Sequence, residues 1–590
     1  MKSSNLLVAA LIGVLISLSA LSFHYFINER SVAIDEQYMA IYPAKSTYVS
    51  YDESIMYWPK VTSILMGESL SSIDPYLIEY AKLQTHVPSG SEFIVAFLVD
   101  LIDGSTNFNA IFIDIFSISI LFLLLYSFLY LLSKSQISSA LLALLFIFSF
   151  DLALAISSLP SISVLLNFFT AGNVSLLTRT TNMSISILPL VVFSYFFYKE
   201  NISNQKSKIS LNAMFVSAAF LVYFNFYMWT FAGAMIFFTY FVSLLYGVKV
   251  FDRRYIKKII ISCALYLLIL IPFFITFYIS YTQEGYQDYL GRFGVAQTRS
   301  IHVLSVGYLV FIFILHFLYK KYQNFLLPII ISFLITLLFV KNIQLLMGFT
   351  IQTFHWSRDA AIPFILILSI FCISQIHINK KFITLLLILV FSLFQLSAYT
   401  YSQANWRNHT ANTEEVYLYN YLNKSTLDDD VIASPWVMSS SVLNYSKRKV
   451  YIPHAPITFA NGKEITNRLI DYYCAVGVNS NEFKRILSDK HSYYSVFHMS
   501  NAYHPATFSY FFSRDNLNLR GPYFSDSEKY AMLDTLSECK KSVDNDSFMM
   551  QYRADYLIMP DYLKTTKFLL KFKFESINGF RIYNLNKKII

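Results

Sequence analysis

The chain has 590 residues, 55% hydrophobic and only 14% charged, with a formal net charge of +9. A soluble protein carries about 25% charged residues, so this composition excludes an ordinary soluble enzyme. The positive charge does not mark a nucleic-acid binder, because Lys and Arg sit in short connections between apolar runs, where they set membrane orientation.

Runs of about 18 or more apolar residues span a bilayer core about 30 Å thick. They are predicted at 6–27, 108–133, 136–157, 182–198, 211–226, 229–247, 259–281, 303–319, 325–340, 359–378 and 382–401. The first run follows Lys2, is long for a signal-peptide core and lacks a small-x-small site, so it reads as a membrane helix. The stretch 158–181, with Pro160 and Gly172, is apolar but broken: an external loop, a re-entrant segment or a helix pair. The 211–247 run is too long for one span and divides near Asn225–Trp229.

Basic residues fall in alternate short connections: Lys134, then Lys199, Lys206 and Lys208, then Lys249, Arg253, Arg254, Lys257 and Lys258, then Lys320 and Lys321, then Lys380 and Lys381. All lie on the side of Lys2 if the helix count is odd, which predicts a cytoplasmic N-terminus in a multi-pass cytoplasmic-membrane protein. The long polar connections 28–107 and 282–302 then lie outside with the tail. The expected fold class is a polytopic α-helical membrane protein of about eleven transmembrane helices, with a C-terminal extracytoplasmic α/β domain. Its domains are 1–401, in the membrane, and 402–590, soluble. In the tail, Glu415–Leu422, Glu464–Val476 and Glu528–Val543 have helical periodicity. Val431–Ser434, Lys449–Pro453, Ala554–Met559 and Phe580–Asn584 read as strands. Four cysteines, Cys263, Cys372, Cys474 and Cys539, show no metal-like spacing. A Cys474–Cys539 bridge requires the tail to face an oxidising compartment.

The first external loop holds two acidic pairs, Asp35-Glu36 and Asp52-Glu53. After the second pair, Ile55, Trp58, Thr62 and Leu65 recur at helical spacing, which suits a helix lying in the membrane interface, with Pro59 at a bend or first turn. A carboxylate held at headgroup height can deprotonate an acceptor as it attacks the anomeric carbon of a lipid-borne sugar. The competing reading is that solvated acids are ordinary in an external loop. Basic residues flank the same face: Arg179 before one helix, His355-Trp-Ser-Arg358-Asp359 before another, and Arg292, Arg299 and His302 in the second long connection. Arginine grips phosphate bidentately, although Arg358 has Asp359 beside it as a partner. Asp114 and Asp151 are the clearest intramembrane acids, costly there unless paired or functional. The tail shows no Ser-His-Asp order, phosphate-binding Gly loop or zinc spacing, and His454, His491, His498 and His504 are scattered.

The order of first helix, loop Asp-Glu pair, Tyr/Trp and Gly, then Asp74-Pro-Tyr76, Val87-Pro-Ser-Gly90 and Asp103-Gly104, resembles polyprenyl-phosphate-sugar glycosyltransferases of the GT-C fold. Protein O-mannosyltransferases and lipid A aminoarabinose transferases belong to that group. The tail segments Asp555–Ile558 and Phe580–Tyr583 resemble it too. The resemblance implies an inverting transfer from a polyprenyl-phosphate sugar donor to an extracytoplasmic glycan, lipid or protein acceptor. It implies Asp52 as base with Glu53 adjacent; the extra pair makes Asp35 and Glu36 alternates. It implies Arg358, with His355, or Arg179, as the donor-phosphate ligand. Paired loop acids can also bind a divalent cation, Mg or Mn, and the sequence requires none. The competing classes are a transporter or flippase of lipid-linked glycans, for which an internal repeat is expected and none is visible, and a polymerase of such glycans.

Overall fold

The computed structural model describes residues 22–33, 38–40, 53–68, 74–83, 89–157, 180–203, 209–247, 252–283, 285–286, 289–290, 296–297, 299, 301–302, 304–324, 326–350, 355–376, 379–454, 457–489 and 524–589. Helix α1 (22–33) is followed by strand β1 (Tyr38–Ala40), a wide π-type turn (Glu53–Tyr57), α2 (Trp58–Leu65) and α3 (Gly90–Ile102). The bundle then comprises α4 (Thr106–Ser133), α5 (Gln136–Ser157), α6 (Ile187–Asn201), α7 (Ser210–Phe220), α8 (Phe226–Leu245), α9 (Arg253–Tyr281), α10 (Ser305–Tyr322), α11 (Leu326–Val340), short α12 (Gln344–Met347), α13 (Ile362–Ile373) and α14 (Lys380–Asn405). Short strands β2 (Ala296–Gln297) and β3 (Phe349–Thr350) pair between them.

Among the described residues, seven helices are long and apolar enough to cross a membrane. The chain is largely α-helical and multi-pass in character. Outward faces of α9, α10 and α14 expose bulky apolar side chains, such as Leu268 (62%), Phe313 (66%) and Leu385 (67%), which only an apolar solvent tolerates as a continuous belt. Polar residues mark where helices begin. Ser105 caps α4, Asn225 caps α8 through the amides of Tyr227 and Met228, Asp252 caps α9 and Asn379 caps α14. The division at Asn225 is therefore a capped helix start, as the sequence predicts.

The helix connectivity sorts the charges. Lys134, Lys199, Arg253, Arg254, Lys257, Lys258, Lys320, Lys321, Lys380 and Lys381 all sit where α4 meets α5, α6 meets α7, α8 meets α9, α10 meets α11 and α13 meets α14. Tyr255 donates to Glu200 at 2.9 Å and Tyr246 lies 2.5 Å from His316 Nδ1, so these junctions share one end. At the opposite, distal end, the first connection, the segment after α9 and the C-terminal region meet. Tyr289 stacks on Phe459 with ring centroids 4.9 Å apart, and a Cβ on Gly285 (φ +83°) would lie 2.5 Å from the Phe459 carbonyl.

The C-terminal region opens with β4 (Thr410–Asn412), which pairs antiparallel with β1 in the register Tyr38↔Asn412. It continues as α15 (Thr413–Ser425), β5 (Val431–Ala433), α16 (Ser439–Ser446), β6 (Lys449–Val450), α17 (Gly462–Ala475), α18 (Ser480–Ser488), α19 (Asp526–Asp544), β7 (Tyr556–Pro560), β8 (Phe572–Ile577) and β9 (Phe580–Lys588). Capping boxes, Asn412 with Glu415 and Ser525 with Glu528, start α15 and α19. The sheet has the order β6-β5-β7-β9-β8, parallel across its first three strands and antiparallel across the last three. Cys474 of α17 is disulfide-bonded to Cys539 of α19. Tyr76 and Leu77, from the first connection, are fully buried in this region's core.

Candidate active site

Asp35, Glu36, Asp52 and Arg179 lie outside the described residues, as do Arg292 and most of 158–181. Glu53 opens the wide turn Glu53–Tyr57, which runs directly into α2 with Pro59 in its first turn. The spacing predicts a helix with one buried face, yet every residue from Trp58 to Ser63 is buried. The reason is that α2 lies between α3 on one side and α16 of the C-terminal region on the other. A buried ion pair, Lys60 Nζ to Glu92 Oε1 at 3.4 Å, joins α2 to α3. Burial pushes the Glu92 carboxyl up and Lys60 opposes the shift. Two close contacts seat α3 on the bundle. Ser91 Oγ lies 3.0 Å from Ser186 Oγ, and a Cβ on Gly90 would stand 2.5 Å from the Tyr223 carbonyl, so that position requires glycine.

The Glu53–Tyr57 turn packs against a second wide turn, Thr180–Ile185, and against α16.

The first connection is held to the C-terminal region by a dense polar lock. Fully buried Asp74 accepts from the amides of Tyr76 (3.0 Å) and Leu77 (2.9 Å) through Oδ1, and from Thr458 Oγ1 (2.5 Å) and the Phe459 amide (3.2 Å) through Oδ2. Burial raises its carboxyl while these bonds oppose the shift. Lys449 Nζ pairs with Glu68 at 2.5 Å and donates to the Pro75 carbonyl at 2.9 Å; the Val450 amide donates to the Tyr76 carbonyl at 3.0 Å. Tyr76 then donates its hydroxyl to the Ile55 carbonyl at 2.8 Å, inside the turn that follows Asp52. Farther along, Arg468 bridges Glu79 (3.1 Å) and Glu464 (2.8 Å). In the sequence, Asp74-Pro-Tyr76 enters through the family resemblance alone. An Asp-Pro step is a turn-initiating signal, and that was the clue to a carboxylate collecting local amides.

The second constellation is built on a wide turn, Trp356–Ala361, that opens the α13 span. Asp359 is 1% exposed and accepts from Arg358 Nε at 2.5 Å; His355 Nδ1 lies 2.5 Å from its other oxygen and 2.9 Å from Arg358 Nη2. The Tyr227 ring stacks on His355 at 4.7 Å, and Trp356 Nε1 donates to Thr230 at 2.8 Å, which ties the turn to the start of α8. The Arg358 side chain keeps 29% of its surface exposed, so a cation oriented by a buried acid faces outward at the distal end. Arg358 and Asp359 are thus paired, and the pairing fixes the guanidinium rather than hiding it.

Asp114 is paired with His24 Nε2 at 3.0 Å, next to the buried His409–Tyr401 contact at the end of α14. Asp151 is buried at 1% exposure. His454 is buried against Tyr76 and Trp436, while His491, His498 and His504 fall outside the described residues. Among the described residues, no group of three His, Cys, Asp or Glu could hold a metal ion.

No family model and no curated protein matches the chain. Among solved structures, it is similar to ArnT from Cupriavidus metallidurans bound to undecaprenyl phosphate, with TM-score 0.40 and 10% identity over 74% of this chain and 84% of that one. It is also similar to the Archaeoglobus fulgidus oligosaccharyltransferase in the apo form, with TM-score 0.42 and 9% identity over 94% and 69% of the two chains. Neither likeness assigns a reaction, donor or acceptor to this chain.

Proposed function

We propose that the chain is a membrane glycosyltransferase that moves a sugar from a polyprenyl-phosphate donor to a glycan, lipid or protein acceptor at the distal, extracytoplasmic face. One observation carries the reading. The turn that follows Asp52 packs on the turn that follows Arg179, roofed by α16, at the bundle end that also presents Arg358 and His355.

In this reading Asp52 removes the proton from the acceptor nucleophile as it attacks the anomeric carbon. The sugar–phosphate C–O bond breaks with inversion, and the electron pair leaves with the polyprenyl phosphate. Arg358, held in orientation by Asp359, and Arg179 take up that phosphate's charge. Glu53 orients the base, with Asp35 and Glu36 as alternates for it. The two Asp-Glu pairs carry the oxygen donors that Mg or Mn prefers, and no step above depends on a metal. Two facts favour an outward-facing distal end: the basic connections gather at the other end, and the Cys474–Cys539 bridge suits an oxidising compartment.

The test is release of radiolabelled sugar from polyprenyl-phosphate donors by purified protein, wild type beside Asp52→Asn. The expected loss in the variant is about 100-fold or more. Equal activity moves the base to Asp35 or Glu36, and no release from any donor sinks the enzyme reading in favour of a transporter.

A further inference from the structure

We propose that the distal ends of α10 and α11 form a second anion site, which binds the phosphate headgroup of a lipid. Lys341, immediately after α11, is 4% exposed, and His302, just before α10, is 6% exposed. The His302 amide donates to Asn342 Oδ1 at 2.9 Å and Asn342 Nδ2 donates to Ser305 Oγ at 2.8 Å, so the two segments are bound side by side. Arg299 Nη1 donates to the Leu345 carbonyl at 2.9 Å, which adds a second cationic side chain to the same corner; His302, lowered to about 4 by burial and Lys341 and accepting from the Leu304 amide at Nδ1, stays neutral.

Among the described residues no carboxylate pairs with Lys341, whose ammonium lies 5.9 Å from the Tyr308 ring centroid. The chain has no Asp or Glu between Asp288 and Asp359. A buried ammonium is retained where something neutralises it, and an unpaired one at membrane depth points to an anionic ligand. The amide end of α10 presents partial positive charge to the same place.

The rim decides the kind of anion. Leu304 (48%), Val306 (55%), Leu346 (70%) and Met347 (57%) are exposed around the basic corner. Inorganic phosphate makes no use of such a collar, whereas a lipid lays its chains on it and its phosphate inside. The phosphate comes from a bulk anionic phospholipid or from a polyprenyl phosphate, and one experiment separates the two. The site is read by binding alone, so it stands or falls independently of sugar transfer.

Full-length protein in uncharged detergent is titrated with phosphatidylglycerol, undecaprenyl phosphate, phosphatidylcholine and inorganic phosphate, and bound lipid is counted by native mass spectrometry. Lys341→Met is expected to retain one fewer anionic lipid than wild type, with affinity at that site weakened at least about ten-fold. Phosphatidylcholine and inorganic phosphate are expected to show no such difference. Preferential loss of undecaprenyl phosphate assigns the site to a polyprenyl carrier, and preferential loss of phosphatidylglycerol assigns it to bulk lipid; either upholds the site. Equal binding of both anionic lipids by wild type and variant overturns it. Removing an unpaired buried charge leaves the lipid-free melting temperature equal or higher, so misfolding does not mimic the expected result. A variant that melts lower means that Lys341 has a structural partner, and that too overturns the site.

Discussion

Asp74→Ala tests whether the C-terminal region fixes the loop that carries the acidic pairs. The side chain satisfies four donors: the amides of Tyr76, Leu77 and Phe459 and the Thr458 hydroxyl, all within 2.5–3.2 Å. Truncation leaves these groups without their acceptor in a fully buried site. Each buried donor left unpaired costs about 1–3 kcal/mol, so the lock loses at least about 4 kcal/mol. At about 1.4 kcal/mol per ten-fold, local opening becomes roughly a thousand times more frequent. Hydrogen exchange read by mass spectrometry is the assay. Amides in 74–83 and 457–460 are expected to exchange faster by about that factor, while peptides from α4 and α5 are unchanged. Thr458→Val removes one bond and is expected to give about 1 kcal/mol, a change of about five-fold. Exchange in 74–83 that is unaltered by Asp74→Ala refutes the lock, and a uniform rise across the bundle refutes its local character.

Replacing Cys474 and Cys539 by Ser removes a link across 65 residues of sequence, for a loss of about 4 kcal/mol by loop-closure entropy; a reductant titration followed by thermal unfolding measures it. Burial, with a contribution from His24, pushes His409 down to about 3. Between the usual value of 6.5 and that lowered one, the unfolded chain takes a proton that folded His409 refuses, so stability falls as pH drops through this window. His409→Gln is expected to flatten that acid limb of a melting-temperature profile relative to wild type, and parallel profiles would sink the assignment. Arg358→Lys keeps the charge beside Asp359 but loses the fork geometry. If Arg358 holds the donor phosphate as proposed, binding of a polyprenyl-phosphate sugar weakens about ten-fold with little change in melting temperature, measured by a binding titration; unchanged affinity removes Arg358 from the proposed site.

Much of the bundle was legible because a bilayer imposes a one-dimensional rule. The predicted run 136–157 is α5, 325–340 nearly coincides with α11, and 229–247 with α8. Capping residues are local as well, so Asn225 divided the 211–247 run correctly. In the tail, the apolar strand Val431–Ala433 and the helix that became α17 were visible for the same reason. Phe580–Asn584 was read as a strand and lies in β9, but its hairpin partner β8 was missed although Asn578-Gly579 separates the two with both residues at positive φ, a strong short hairpin signal. α16 was missed because its run of three serines, Ser439 to Ser441, has no amphipathic stripe and is buried by its neighbours.

Composition and charge order alone determined that this chain is built for a membrane and where many of its long helices run, although about eleven spans were expected and seven helices among the described residues are long and apolar enough to cross. Those properties follow from hydrophobic length and basic punctuation, which are additive along the sequence. Tertiary structure decided the rest. The partner of Asp114 is His24, 90 residues away, and the acceptor for Thr458 is Asp74, on the other side of the whole bundle in sequence. It also decided that α2 is enclosed between α3 and α16 rather than lying half-exposed, and that Lys341 is buried with the Tyr308 ring beside it and no carboxylate partner among the described residues. A carboxylate's or ammonium's surroundings are set by which elements pack around it, and no periodicity in its own segment encodes that.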